Sequence, residues 1–119
     1  MNNIHPVIVK FTKNELLFFE ELSTFNSLKL STFLNQALSN EMKEFEKETP
    51  NGIFVEFLEE EERLKNCKFV NFTLYPPEEL FQRVIFYSKI STLNYGQFIR
   101  FLLLPVLKCY KEGDDDINE

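Results

Sequence analysis

Two short stretches of the chain alternate between apolar and polar positions. They are residues 7–12, Val-Ile-Val-Lys-Phe-Thr, and residues 69–74, Phe-Val-Asn-Phe-Thr-Leu. An alternation with a period of two residues is typical of a strand that packs one face on a core. We therefore predict two half-buried strands. The side chains predicted to face the core are those of Val7, Val9, Phe11, Val70, Phe72 and Leu74.

Each predicted strand is followed by two stretches whose apolar residues recur at helical spacing. Helices are predicted over residues 14–25 and 29–47 after the first strand, and over 77–90 and 95–110 after the second. The last helix is apolar almost all round, which predicts burial on several sides. Pro105 lies inside it and is expected to kink or break it.

The residues at the helix starts support these boundaries. Thr12 or Asn14 can cap the helix over 14–25. Pro77 suits the first turn of the helix over 77–90, and the two glutamates that follow it favour the positive end of that helix. Asn94 and Gln97 have the spacing of a capping box.

The two strand–helix–helix stretches also resemble each other in sequence. At an offset of 65 residues, small residues meet small residues and apolar residues meet apolar ones. The matched pairs are Leu28 with Leu93, Ser31 with Gly96, Phe33 with Phe98, and Leu34 with Ile99. Such a repeat predicts two copies of one structural unit. Because a lone strand and a lone helix pair cannot satisfy their edges and apolar faces, the units are expected to pack together.

A connector separates the two repeats. Residues 49–52, Thr-Pro-Asn-Gly, are a turn signal. Residues 53–66 have a helical apolar stripe formed by Phe54, Phe57, Leu58 and Leu64, with a short strand over 53–57 as the alternative. We predict a single domain over 1–112 and an acidic, frayed tail over 113–119. The domain comprises a first unit (1–47), an acidic connecting helix (48–66) and a second unit (67–112).

The composition is that of a globular protein, with 119 residues of which 44% are hydrophobic and 27% charged. This length can bury a core without disulfides or metals. No apolar run approaches the roughly 18 residues that span a membrane, and the first residues lack a signal-peptide pattern, so a cytoplasmic protein is expected. Cys67 and Cys109 follow no pairing pattern and are expected to be free thiols.

The net charge of −6 is distributed unevenly. Residues 1–47 carry −1, residues 48–66 carry −4, residues 67–112 carry +3 and residues 113–119 carry −4. The excess acidity therefore lies mainly in the connector and the tail. Because the local field matters more than the total charge, the second unit could still face a polyanion.

Residues typical of catalysis are scarce. His5 is the only histidine, and His5, Cys67 and Cys109 do not have zinc-ligand spacing. The three glycines are too scattered for a phosphate-binding loop. We therefore expect no enzyme activity, no cofactor and no metal site.

The order strand, helix, short turn, helix resembles the unit of the ribbon-helix-helix family, the Arc and MetJ type of DNA-binding repressor. In that family the second helix often begins with a small residue, any residue and a second small residue. An acid or amide, two aliphatic residues and an arginine follow. Residues 94–100, Asn-Tyr-Gly-Gln-Phe-Ile-Arg, are similar to this pattern. Residues 30–38, Leu-Ser-Thr-Phe-Leu-Asn-Gln-Ala-Leu, are similar to it more loosely.

The resemblance implies a mainly α fold with a small two-stranded antiparallel β-ribbon, in which two units pack as an intrachain pseudo-dimer. It implies sequence-specific binding of double-stranded DNA, with the ribbon in the major groove. The implied role is a transcriptional regulator or a plasmid or mobile-element accessory protein. We expect a monomeric pseudo-dimer that self-associates on DNA, with room for a protein partner and no membrane partner.

By the same resemblance, outward strand residues would read bases and the starts of the second helices would bind phosphate. The implied base contacts are Lys10, Thr12, Asn71 and Thr73. The implied phosphate contacts are Lys13, Lys29, Ser31, Lys68, Asn94 and Gly96. Because the two strands differ in sequence, the DNA site is expected to be asymmetric.

Two other interpretations stay open on the sequence alone. The net acidity and the outward apolar candidates Ile8 and Phe69 favour a protein-interaction module on the same fold, such as an acidic inhibitor of a nucleic-acid-binding partner. The other interpretation is a domain of helices alone, in which both predicted strands are loops.

Overall fold

The computed structural model describes residues 5–48 and 53–117, with side chains described except at 53–57, 61 and 109–117. Within these ranges the protein is mainly helical and has a two-stranded antiparallel sheet. The elements in chain order are β1 (Val7–Thr12), α1 (Lys13–Phe25), α2 (Leu30–Lys47), α3 (Ile53–Leu64), β2 (Phe69–Leu74), α4 (Glu78–Ser91) and α5 (Tyr95–Ile117). Both predicted strands are confirmed, and the interpretation as helices alone is wrong.

The two strands pair along their whole length, with Val7 opposite Leu74 and Thr12 opposite Phe69. The inward residues of β1 are buried, as the alternation predicts, and Leu74 is buried beside them. Val70 departs from the prediction, because 42% of its surface is exposed. It lies near the start of β2, opposite Phe11, which is 1% exposed, so at this end the core covers β1 better than β2.

The start of α1 is fixed by a capping box that joins it directly to β1. The Thr12 hydroxyl oxygen accepts a hydrogen bond from the Glu15 backbone N–H at 3.2 Å, and the Thr12 N–H donates to Glu15 Oε1 at 2.8 Å. Of the two predicted caps, Thr12 is therefore the one used. Pro77 is the N-cap of α4 and, contrary to the prediction, does not lie in the first turn; Glu78 and Glu79 occupy that turn as predicted.

The core lies between the inner face of the sheet and the apolar stripes of the helices. Its aromatic centre is a cluster in which the Phe45 ring meets Phe98 at 5.5 Å and Phe101 at 5.9 Å, both nearly edge-on. Edge-to-face packing of this kind adds to the free energy gained by burying the rings. Because Phe45 belongs to α2 and the other two to α5, the cluster joins the two halves of the chain.

The helix α5 is continuous through Pro105 and extends to Ile117, so the predicted break is absent and the tail is helical as far as that residue. An interior proline costs a helix about 3 kcal/mol. Leu103, Leu104 and Leu107 are buried on both sides of Pro105. Burial of such side chains contributes about 1.5–3 kcal/mol each, which offsets that cost.

The connector forms the helix α3, as predicted, and the alternative strand over 53–57 is wrong. Within its expected apolar stripe, Leu64 is buried but Leu58 is exposed. The other two residues expected in the stripe, Phe54 and Phe57, have side chains outside the described set. Over the described part of the chain, no helix combines the length and the apolarity needed to cross a membrane.

Candidate nucleic-acid interface

The outer face of the sheet brings together three of the four residues that the resemblance implies as base contacts. Lys10, Asn71 and Thr73 are exposed there. Lys10 lies directly opposite Asn71, and Thr73 lies opposite Ile8, which is 54% exposed. The face is therefore apolar at Ile8 and at the half-buried Phe69, and between them it projects one cation, one amide and one hydroxyl.

Thr12 has a different position from the other three. It is half-buried at the end of β1, and its hydroxyl oxygen accepts the hydrogen bond that caps α1. It pairs across the sheet with Phe69, which is also half-buried. The guanidinium of Arg100 lies 5.7 Å from the centre of the Phe69 ring. The side chains at this end of the ribbon therefore make more contacts within the protein than those at the Ile8 end.

A cleft of about 550 Å³ runs between the outer side of β1 and the start of α5. Lys10 lines it from the strand, and Asn94 and Gly96 line it from the helix. Ile8, Phe69 and Tyr95 complete much of its wall. The structure thus places one implied base contact and two implied phosphate contacts around a single concave surface.

Gly96 is required by the close approach of α5 to β1. A Cβ atom added at this position would lie 2.2 Å from the carbonyl oxygen of Ile8. No side chain can be accommodated there unless the strand or the helix moves. The glycine matched to Ser31 in the repeat therefore serves helix–strand packing in addition to any role at the cleft.

The start of α5 is closed by its own capping box. Asn94 Oδ1 accepts from the Gln97 backbone N–H at 2.8 Å, and the Asn94 N–H donates to Gln97 Oε1 at 3.1 Å. This confirms the predicted capping box. It also uses two of the N–H groups that a helix start would otherwise offer to a phosphate.

The start of α2 is more open. Lys29 precedes its first turn, is exposed, and makes no side-chain capping hydrogen bond, while Ser31 is half-buried. One turn further on, Asn35 Nδ2 donates to the carbonyl oxygen of Tyr75 at 3.2 Å, which places this helix beside the segment that follows β2. The α2 start therefore retains backbone N–H donors close to a lysine.

The two remaining implied phosphate contacts flank one end of the ribbon. Lys13 follows Thr12 and Lys68 precedes Phe69, and Thr12 and Phe69 are paired in the sheet. Both lysines are exposed. Positive charge is therefore present at this end of the ribbon as well as on Lys10.

A buried ion pair beneath the ribbon was not foreseen from the sequence. Arg100 donates to both carboxylate oxygens of Glu15, at 2.8 and 2.9 Å, and also to the carbonyl oxygen of Lys10 at 3.0 Å. Both ionised side chains are only 3% exposed. A signal was available, since an arginine between apolar neighbours in a buried helix requires a buried acid.

A second contact between the two repeats joins α2 to α4. The Arg83 guanidinium donates to the Glu46 carboxylate, and the Tyr87 hydroxyl donates to the same carboxylate at 3.0 Å. The hydrogen bond from Arg83 lowers the pKa of Glu46, and it raises the pKa of Arg83 in turn. Burial, and then the hydrogen bond to Glu46, raise the pKa of Tyr87.

The segment before β1 is held by α4. The His5 ring stacks on Phe81, with ring centres 4.2 Å apart, and its Nε2 lies 2.7 Å from Glu78 Oε1. The only histidine of the chain is thereby committed to packing and to one carboxylate.

Comparison of the chain with protein-family models, with curated proteins and with solved structures gave no match.

Proposed function

We propose that this protein binds double-stranded DNA in a sequence-specific manner by inserting the outer face of the β1–β2 ribbon into the major groove. The observation that carries the proposal is the joint exposure of Lys10, Asn71 and Thr73 on that face. Two strands about 4.8 Å apart fit a groove about 12 Å wide. Asn71 is suited to adenine, because its amide can bond the donor and the acceptor on that base edge. Lys10 is suited to guanine, because its ammonium group can donate to the two acceptors there.

We also propose that the two strand–helix–helix units form a ribbon-helix-helix pseudo-dimer within one chain. Asn35 and Arg100 occupy matching positions of the two repeats. Asn35 hydrogen-bonds the carbonyl oxygen of Tyr75, just after the strand of the second unit, and Arg100 hydrogen-bonds that of Lys10, in the strand of the first. Reciprocal contacts of this kind are characteristic of a symmetric pairing of two units.

The charge distribution supports binding that depends strongly on salt. The net charge of −6 opposes the approach of DNA at long range. Lys10, Lys13, Lys29 and Lys68 are nevertheless exposed on or beside the proposed interface. Attraction should therefore be local and lost as salt screens these lysines.

By the resemblance, the biological role proposed is that of a transcriptional regulator or a plasmid or mobile-element accessory protein. Because β1 and β2 present different residues to the groove, the preferred site should consist of two unlike halves.

The proposal is tested by selection of bound duplexes from a random pool, followed by anisotropy titrations at roughly 50 and 200 mM salt. The key variant is Lys10→Ala, Asn71→Ala, Thr73→Ala. Its matched control is Thr24→Ala, Asn40→Ala, Lys43→Ala, which removes the same side-chain types from exposed helix positions. The proposal expects an enriched sequence whose binding the ribbon variant loses and the control keeps. If no sequence is enriched, or both variants bind like the parent protein, the proposal fails.

A second candidate is a protein-interaction module on the same fold. It is favoured by Ile8, an apolar side chain that is 54% exposed on the outer face, near the start of β1. An Ile8→Asp variant separates the two candidates in the selection experiment. Loss of an enriched sequence in Ile8→Asp would favour DNA binding through this face, whereas an enriched sequence bound equally by Ile8→Asp, or the absence of any enriched sequence for the parent protein, would favour the second candidate.

A further inference from the structure

A second cleft lies between the C-terminal half of α2 and the middle of α5. Its volume is about 300 Å³, at the lower end of ligand-binding sites. Its apolar lining is formed by Phe45, Phe101, Leu102, Leu104 and Pro105. None of its lining residues lines the cleft beside the ribbon. The two sites could therefore be occupied at the same time.

One wall of this α2–α5 cleft carries a row of acids. Glu41, Glu44 and Glu48 line it from α2 and its end, and among the described side chains of the lining Lys108 from α5 is the one cation. Residues three and four positions apart share one face of a helix, so the three carboxylates follow one side of the cleft. Glu44 also lies 3.3 Å from Lys47 in an exposed pair.

Among the described side chains that line the cleft, the carboxylates outnumber the cations three to one. Burial, and then the neighbouring charge of Glu44, raise the pKa of Glu41. A carboxylate in this condition is stabilised by an added positive charge. The described lining therefore combines an apolar floor with an excess of negative charge, which is complementary to a ligand that is both apolar and cationic.

We propose that the α2–α5 cleft is a docking site for a basic amphipathic segment of another protein, with apolar side chains on the floor and Lys or Arg along the Glu41–Glu44–Glu48 row. From Glu41 to Glu48 the row covers seven residue steps, about 10.5 Å along a helix. A small amine could reach only one of its carboxylates, whereas a helical segment places several cations along it. A segment lying between two helices in this manner is a common mode of peptide recognition.

The test uses a fluorescent peptide of roughly 14 residues, about 21 Å long as a helix, with leucine on one face and lysine on the other. The variant is Glu41→Gln, Glu44→Gln, Glu48→Gln. Its control is Glu20→Gln, Glu21→Gln, Glu59→Gln, which removes the same charge from exposed positions elsewhere. Loss of three partly exposed ion pairs should weaken binding about tenfold in the cleft variant. The control should remain within about twofold of the parent protein.

Three further readouts separate docking from simple attraction between opposite charges. In the parent protein, the methyl signals of Leu102 and Leu104 should shift when the peptide is added. A peptide with serine in place of leucine should bind at least about tenfold more weakly. Sedimentation of the free protein should show that a second copy of the chain does not occupy the cleft.

The proposal is overturned by equal losses in the two triple variants, by equal binding of the serine peptide, by methyl shifts confined to other regions, or by a dimer that the peptide disrupts. None of these results depends on DNA, so failure here is distinguishable from failure of the proposed DNA binding.

Discussion

The guanidinium of Arg100 and the carboxylate of Glu15 form a bidentate ion pair across the two repeats of the chain, with both side chains 3% exposed. Glu15 also closes the capping box with Thr12, and Arg100 also holds the carbonyl oxygen of Lys10. One pair of charges therefore ties together the first turn of α1, the middle of β1 and the first half of α5. Lys10 thus contributes its backbone carbonyl to the buried pair while its side chain is exposed on the outer face.

Removal of one partner should be costly. We expect Arg100→Leu to lower the free energy of unfolding by about 3–5 kcal/mol, because it leaves the Glu15 carboxylate buried without its counter-charge. The double variant Glu15→Gln, Arg100→Leu should be more stable than Arg100→Leu alone. Urea denaturation followed by circular dichroism measures both values.

The control for this prediction is Arg83→Leu, which breaks the partly exposed pair with Glu46. It should cost no more than about 1 kcal/mol. Equal costs for Arg83→Leu and Arg100→Leu would contradict the argument from burial.

Gly96→Ala should lower the free energy of unfolding by about 1–3 kcal/mol, because its methyl group would overlap the carbonyl oxygen of Ile8. Ser31→Ala, at the matching position of the first repeat, should change it by less than about 0.5 kcal/mol. Thermal unfolding of the two variants side by side provides the measurement. A neutral Gly96→Ala would mean that α5 does not lie so close to β1.

The lysines at the Thr12–Phe69 end of the ribbon should set salt dependence and not sequence preference. With Lys13→Ala, Lys68→Ala, we expect the slope of log affinity against log salt to become less steep by about 1.8, which corresponds to two phosphates. The enriched DNA sequence should stay the same. Lys43→Ala serves as the control, and a changed sequence preference would assign these lysines to base contacts instead.

The two second-helix starts should differ in function. Lys29→Ala should reduce the salt slope by about 0.9 with little change in stability, because the α2 start is uncapped by a side chain. Asn94→Ala should instead lower stability by about 1 kcal/mol, because it removes a capping box. DNA-binding titrations measure the salt slope of both variants, and urea denaturation measures their stability. A smaller salt slope for Asn94→Ala, with no change for Lys29→Ala, would place the phosphate site at α5.

Two glutamates of α2 should have opposite effects on stability as pH changes. The Arg83 hydrogen bond lowers the folded-state pKa of Glu46. Its stabilising contribution is therefore present above the ordinary glutamate value of about 4.3 and is lost as pH falls through the lower folded-state pKa. Glu46→Gln should be less stable than the parent at pH 7, with the difference shrinking in acid.

Glu41 is the opposite case, since burial and Glu44 raise its pKa and its ionised form opposes folding. Glu41→Gln should therefore be more stable than the parent at pH 7 and converge with it in acid. Unfolding free energies at pH 7 and pH 3.5, roughly on either side of the ordinary value, test both signs. A parallel response of the two variants would contradict the assigned environments.

The strands and helices could be predicted because their causes are local. Alternation in 7–12 and 69–74 and the capping residue Thr12 act within a few positions of the chain. The partner of Arg100 could not be predicted, because Glu15 lies 85 positions away and only the pairing of the two repeats brings it near. The same limit applies to Glu46 and Arg83.

Pro105 shows the other limit of local reasoning. Taken alone, an interior proline predicts a kink or a break, yet α5 has no break there, because the surrounding leucines are buried. Thr12 is similar at the candidate interface. Its outward position on the strand predicts a base contact. Because it also directly precedes α1, its hydroxyl oxygen instead accepts the hydrogen bond that caps that helix.

Because β1 pairs with β2 within one chain, the sheet should behave differently from that of a homodimer when the protein is diluted and when its sequence evolves. A sheet assembled from two separate copies would dissociate as the protein becomes scarce, whereas this one forms by a first-order reaction at any abundance. A substitution in β1 is also not copied into β2, as it would be in a homodimer. Each strand can therefore acquire its own preferences one mutation at a time, even when only a few molecules are present in a cell.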